Sequence, residues 1–143
     1  PAMASRVKTL SRHLIAELYA CSGPIDVVDE VARCLREAAE AIGATVVGEA
    51  FHRYAPQGVS GILLIAESHI SVHTWPEAGY VALDIFTCGG IDPRPAVALI
   101  AERLGAAEQQ THEIVRGLPG DVEPGRTLLP ADVSLLTDLV AGR

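Results

Sequence analysis

Aromatic residues are scarce in this 143-residue chain, at 4% of the total. Trp75, Tyr54, Phe51, Tyr80 and Phe86 therefore stand out, and four of those five fall between residues 51 and 80. Excess positive charge is missing too. With 11 Lys and Arg against 18 Asp and Glu the net charge is -7. No basic stripe is present to meet a phosphate backbone, so nucleic acid is not expected as a partner. No apolar run approaches the roughly 18 residues that cross a bilayer, and no signal-peptide core is expected near the start. Cysteine is limited to Cys21, Cys34 and Cys88. An odd number at unrelated spacings argues against a disulfide framework and for a reducing cytoplasm. The absence of any C-x-x-C pair excludes a zinc ribbon or a thioredoxin-like motif on spacing.

What is there is enough for one globular domain. Hydrophobic residues make up 49% and charged residues 20%, which supports a core and argues against global disorder. Pro1-Ala2-Met3-Ala4 is set aside from the fold reading. "TLSRHLIAELYAC" (9–21) suits a strand, and Ser22-Gly23-Pro24 breaks it. From Asp26 to Ile42, Val27, Val28, Val31, Leu35, Ala38, Ala39 and Ile42 recur at helical spacing with charges on the other face, which predicts an amphipathic helix. Gly43 is its C-cap candidate. "ATVVGEAFHRY" (44–54) reads as a strand and Pro56-Gln57-Gly58 as a turn. "VSGILLIAES" (59–68) is a nearly continuous apolar strand. "HISVHTW" (69–75) alternates, with Ile70 and Val72 on one face and His69, Ser71 and His73 on the other. Pro76 to Gly79 turns the chain into "YVALDIFTC" (80–88), a hairpin partner. Asp92 as N-cap and Pro93 at the first helical position open a second helix over about 93–104. Gly105 ends it, and 107–117 is a weaker strand.

The expected fold is α+β, a two-layer sandwich in the order β-α-β-β-β-β-α-β, with two helices covering one face of an antiparallel sheet. Residues 1–117 form the domain. Residues 118–143 read as a linker and a short peripheral helix over Val133–Val140.

Reactive side chains crowd into "AESHISVHTWPEAGYVALDIFTCGG" (66–90). Taken singly they are bland. A histidine on a sheet face is commonly a hydrogen-bonded structural residue, and a lone cysteine at a strand end is a small hydrophobe. His69, His73 and Cys88 form a poor metal site. Histidines four apart on a strand sit about 13 Å apart at roughly 3.3 Å per residue, so no metal is expected.

Taken together, "ESHISVHTWPEAGYVALDIFTCG" resembles the signature of the bacterial and archaeal S-adenosylmethionine decarboxylase proenzymes. The similarity extends to "LSRHLIAELYAC" and "FHRYAPQGVSGILLIAESH", and so covers about residues 8–117. The resemblance implies a chain that cuts itself between Glu67 and Ser68. The Ser68 hydroxyl would attack the Glu67 carbonyl, turning an amide into an ester. β-Elimination would then release the upstream fragment and leave dehydroalanine, which hydrolyses to a pyruvoyl group and ammonia. Such an attack needs a strained, pre-oriented bond, the kind of proximity gain worth about 7–11 kcal/mol. His73 is similar to the family's processing base, which takes the serine α-proton, and Ser60 to a serine that assists processing. An imidazole suits the base role.

The pyruvoyl carbonyl would form a Schiff base with the substrate amine and act as electron sink for loss of carbon dioxide. Cys88 is similar to the general acid that reprotonates the α-carbon, and a thiol stays largely protonated at neutral pH. Tyr54 and Trp75 fall where the family places aromatics that stack the adenine and face the sulfonium, an attraction of about 0.5–2 kcal/mol. The family usually has phenylalanine at the Tyr54 position, and tyrosine keeps the ring. Glu77 is similar to a glutamate that binds the ribose hydroxyls. His69 and Glu17 are expected to support the fold or the site from behind. The resemblance also implies a cytoplasmic enzyme of spermidine and polyamine biosynthesis, working as a homodimer of cleaved protomers with active sites at the shared interface.

Two other readings use the same residues. The pyruvoyl chemistry could serve arginine or ornithine, although the retained Tyr54, Trp75 and Glu77 favour an adenine-bearing substrate. Alternatively the chain could be an uncleaved, non-catalytic paralogue.

Overall fold

The computed structural model describes residues 7–8, 11–88, 90–117 and 133–134. In chain order the elements are β1 (Val7–Lys8), β2 (Ser11–Tyr19), α1 (Val28–Ala41), β3 (Thr45–Arg53), β4 (Val59–Ala66), β5 (Ser68–Trp75), β6 (Tyr80–Cys88), α2 (Arg94–Arg103), β7 (Glu108–Arg116) and β8 (Val133–Ser134). Six strands make one antiparallel sheet in the order β3-β4-β5-β6-β2-β7. The expected β-α-β-β-β-β-α-β order is the one adopted. A separate two-residue parallel pairing joins Val7 to Val133. Of the helix expected over Val133–Val140, only Val133 and Ser134 lie among the described residues, and they belong to β8.

Alternation decides which face of the sheet meets the helices. Leu14, Ala16 and Leu18 on β2, Leu63 and Ile65 on β4, Ile70 and Val72 on β5, and Val81, Leu83 and Ile85 on β6 are all buried. They pack with Val31, Leu35, Ala38 and Ala39 of α1 and Val97 and Ile100 of α2 in one core. Burying each such Leu or Ile stabilises the fold by about 1.5–3 kcal/mol. Val27, expected on the apolar stripe, precedes α1 and is exposed.

The connections follow their turn chemistry. Gly43 takes φ +73° after α1, where only glycine avoids the left-handed penalty. α2 starts one residue later than expected, at Arg94 with Pro93 as its N-cap, and Asp92 Oδ1 accepts the Arg94 N–H at 3.0 Å just ahead of it. Asp26 does not cap α1. Its carboxylate accepts the Gly58 N–H at 2.8 Å and the Arg53 guanidinium at 2.8 Å, tying the α1 approach to the β3–β4 turn. Those two donors hold its carboxyl below the usual range. Thr74 is buried but satisfied, accepting Val59 N–H at 2.9 Å and donating to the Ile25 carbonyl at 2.8 Å.

One strand boundary lies earlier than expected. The apolar run 59–68 is not a single strand, because β4 ends at Ala66 and β5 begins at Ser68, with Glu67 alone in the turn. The Ala66–Glu67 peptide is cis and Ser68 has φ +105°.

Candidate active site

The β4–β5 hairpin puts Ser68 at its tip in a backbone conformation that residues with a side chain rarely adopt, at a cost of order 1–3 kcal/mol. Register places Ser68 opposite Ile65 on β4 and Thr87 on β6. Cys88 therefore ends β6 beside the hairpin, and its Sγ lies 3.2 Å from Ser68 Oγ. Both side chains are half-buried, while Glu67 is exposed. A hydroxyl and a thiol in contact, the hydroxyl on a residue with positive φ, form the first grouping.

The second grouping lies toward the other end of the same hairpin. Ser60 faces His73 directly across β4 and β5, and Ser60 Oγ lies 2.7 Å from His73 Nδ1. The two side chains line a shallow depression of about 460 Å³ with Ile62 and Ser71. Trp75 follows on β5, its ring 6.4 Å from that of His73. Tyr54, at the exit of β3, and Glu77, in the short 3-10 turn Pro76–Ala78, are exposed. Trp75 is the outer member of a run of rings across the sheet, with Trp75 to Tyr80 at 5.2 Å and Tyr80 to Tyr19 at 5.6 Å. The Tyr80 hydroxyl donates to Glu17. Burial and that carboxylate push the phenol up to about 12.

The single chain brings Ser68 to Cys88 and Ser60 to His73, but it does not bring the two pairs together. Ser68 and His73 lie five positions apart on β5, which at ~3.3 Å per residue puts their Cα atoms about 16 Å apart. A histidine side chain does not span that distance.

Between the groupings lies a hub that the sequence pattern did not single out. Asp84 Oδ2 accepts from His13 Nε2 at 2.5 Å and from His69 Nε2 at 2.8 Å, and Ser71 donates to Oδ1. Burial works against the Asp84 charge, but the three hydrogen bonds outweigh it and hold the carboxyl below its usual range. His69 thus supports the sheet face, as expected. It shares Asp84 with His13, two strands away, each histidine lying opposite Phe86 in register, while His73 pairs with Ser60 instead. No spacing rule joins residues 13, 69 and 84; only the strand order does. The three ligand atoms lie within 4.8 Å of one another, close enough in principle for a metal ion. However, Arg116 donates to His13 Nδ1 at 3.2 Å. An accepting Nδ1 leaves the proton on Nε2, which is spent on Asp84 and offers no lone pair to a cation.

Fold and site together define an enzyme scaffold, a helix-backed antiparallel sheet that carries a strained serine beside a thiol at one hairpin tip and, on its open face, a serine–histidine pair. A family model for S-adenosylmethionine decarboxylase matches residues 12–117. The S-adenosylmethionine decarboxylase proenzyme of Geobacillus kaustophilus (strain HTA426) is 43% identical over 122 residues, covering 84% of this chain and 98% of the relative. The proenzyme of the same name from Caldicellulosiruptor saccharolyticus is 47% identical over 111 residues, covering 76% and 90%. The crystal structure of the adenosylmethionine decarboxylase from Aquifex aeolicus VF5 is similar with a TM-score of 0.73 and 32% identity, covering 81% of this chain and 98% of that one. The chain belongs to the S-adenosylmethionine decarboxylase family. Among the described residues no helix is long and apolar enough to cross a membrane.

Proposed function

We propose that the chain is a proenzyme that cuts itself between Glu67 and Ser68 and then decarboxylates S-adenosylmethionine, yielding the aminopropyl donor of polyamine biosynthesis. The observation that carries this reading is Ser68 held at φ +105° just after the one-residue turn at Glu67, with its hydroxyl 3.2 Å from the Cys88 thiol. Attack of Ser68 Oγ on the Glu67 carbonyl carbon moves the acyl group from nitrogen to oxygen and relieves that backbone. Removal of the Ser68 α-proton then expels the Glu67 carboxylate and leaves a dehydroalanine. Water converts it to a pyruvoyl group with loss of ammonia.

The residues present fit such a group, since the serine that would become it heads β5 and a proton donor already touches it. A pyruvoyl group supplies an electron sink for decarboxylation. The chain's own side chains do the rest. Cys88 delivers a proton to the substrate α-carbon. Trp75 and Tyr54 offer exposed ring faces to an adenine and a sulfonium. Glu77 offers a carboxylate to the ribose hydroxyls.

A homodimer completes the site. The sheet face away from the helices is uncovered, with Leu64 and Ile114 exposed and Ile15, Ile62 and Phe86 half-buried, an apolar surface of the kind that a second copy buries. A two-fold related copy laid on this face would bring His73 and Ser60 of one protomer to Ser68 and Cys88 of its partner, closing the gap of about 16 Å that strand rise imposes within one chain. No metal takes part in this scheme. Unpaired thiols at Cys21, Cys34 and Cys88 favour a cytoplasmic setting.

Two measurements test this. Mass spectrometry of freshly expressed protein is expected to show two fragments, the larger beginning with a ketone that a hydrazide traps, and carbon dioxide is expected from S-adenosylmethionine but not from arginine or ornithine. An intact, untrappable chain would overturn self-processing, and release from arginine alone would overturn the substrate. For the dimer, Ser68→Ala and His73→Ala chains, each inactive alone, are expected to regain activity when co-expressed. Absence of rescue from a confirmed mixed dimer would place the whole site within one chain.

A further inference from the structure

We infer that His52 is a positioning residue for the Tyr54 ring, and that it sets the affinity for an adenine-bearing cation without entering the chemistry. This rests on the reading of Tyr54 given above. β3 is an edge strand, so no neighbouring strand buttresses the outer side of Tyr54. The Tyr54 backbone is fixed, since its N–H donates to the Gly58 carbonyl at 2.8 Å. Gly58, at φ +106°, lies close enough that an added Cβ would sit 3.8 Å from the tyrosine ring. The ring itself stays nearly half exposed, at 47%.

One aromatic contact restrains that ring. His52 lies two residues back along the extended chain, which puts both side chains on the same face. The ring centroids are 4.7 Å apart at an interplanar angle of 72°, an edge-to-face pair. His52 is also directly opposite Ser60 in register, and it lines the depression that holds Ser60 and His73. Among the described residues no hydrogen bond engages its imidazole, so the contact with Tyr54 is what the side chain offers. A ring already held in place loses less freedom when a ligand stacks on it, and the gain appears as affinity.

The test compares His52→Ala and His52→Phe with the wild-type full-length protein, following self-cleavage, kcat and KM for S-adenosylmethionine. The expected result for His52→Ala is a KM about threefold to tenfold higher, the scale of one aromatic pair, with cleavage and kcat unchanged. His52→Phe keeps an edge for Tyr54 and is expected to restore KM. An unchanged KM in His52→Ala would overturn the inference. So would failure of phenylalanine to restore it, or a fall in cleavage or kcat alongside the rise in KM. Wild-type turnover keeps the two readings separable. A wild type inactive on S-adenosylmethionine sinks the proposed function, whereas an active wild type with an indifferent His52→Ala sinks only this inference.

Discussion

Ser60 Oγ and His73 Nδ1 lie 2.7 Å apart across adjacent strands, five residues along β5 from the serine that the proposed processing consumes. With Nδ1–H donating to the Ser60 hydroxyl, the imidazole plane is fixed and Nε2 keeps the lone pair that takes a proton from elsewhere. His73→Ala is therefore expected to slow self-cleavage by about 10²–10⁴, the usual worth of a general base. Ser60→Ala, which removes only the orienting contact, is expected to slow it less. Time-resolved electrophoresis of freshly synthesised chain reads both rates. A Ser60→Ala chain slower than His73→Ala would reverse the two roles.

Ser68 and Cys88 touch, yet the proposed scheme separates their effects. Ser68→Ala removes the nucleophile and is expected to give a single uncleaved chain with an unchanged circular dichroism spectrum. Cys88→Ala leaves the Ser68 hydroxyl in place. It is expected to cleave at least partly, as seen by mass spectrometry, while carbon dioxide release falls by about 10²–10⁴. Full decarboxylation in Cys88→Ala would mean that another group protonates the α-carbon.

Much of this arrangement was legible in the chain because periodicity reports which face is buried. The 3.6-residue spacing read from Asp26 to Ile42 and the alternation in 69–75 and 80–88 each led to an element of the right type. The break between β4 and β5 was read one to two residues late, and its tightness was not legible. "IAESH" contains no glycine, proline, asparagine or aspartate, serine is only a weak turn former, and the turn forms with Ser68 in a conformation that local preference opposes. Tertiary pairing imposes it, and that conflict between local and global preference coincides with the proposed reaction site. The Asp84 hub was hidden for a different reason. Its members lie on β2, β5 and β6, and only the insertion of β2 next to β6 brings His13 beside His69.

Gly61 carries a constraint that also shows in the sequence, as a glycine inside a strand pattern. It faces Phe51 in register, and a Cβ built on it would lie 2.0 Å from the phenyl ring. Gly61→Ala must displace that ring from the edge of the core. It is expected to cost about 1–3 kcal/mol, read as a lower urea midpoint at constant m-value. Phe51→Leu in the same chain is expected to recover part of the loss. An alanine variant as stable as wild type would show that the ring has room to swing aside.

Asp84 gives the fold an acid sensitivity whose direction follows from its partners. Ser71, His13 and His69 hold its carboxyl below the ordinary range against the opposing effect of burial, while Arg116 holds His13 from the far side. A carboxyl whose folded value is depressed stabilises the native state at pH above its unfolded value, about 3.9, and that stabilisation disappears as pH falls through the folded value. Asp84→Asn removes the charge at all pH values. At about pH 7 it is expected to lower stability by about 1–3 kcal/mol, the scale of hydrogen bonds to a charged group. Below about pH 4 the wild type is expected to lose this advantage, so the two Tm curves converge on the acid side. Parallel curves throughout would mean that the charge on Asp84 is matched in the unfolded chain and that the two histidines serve the carboxylate only as packing.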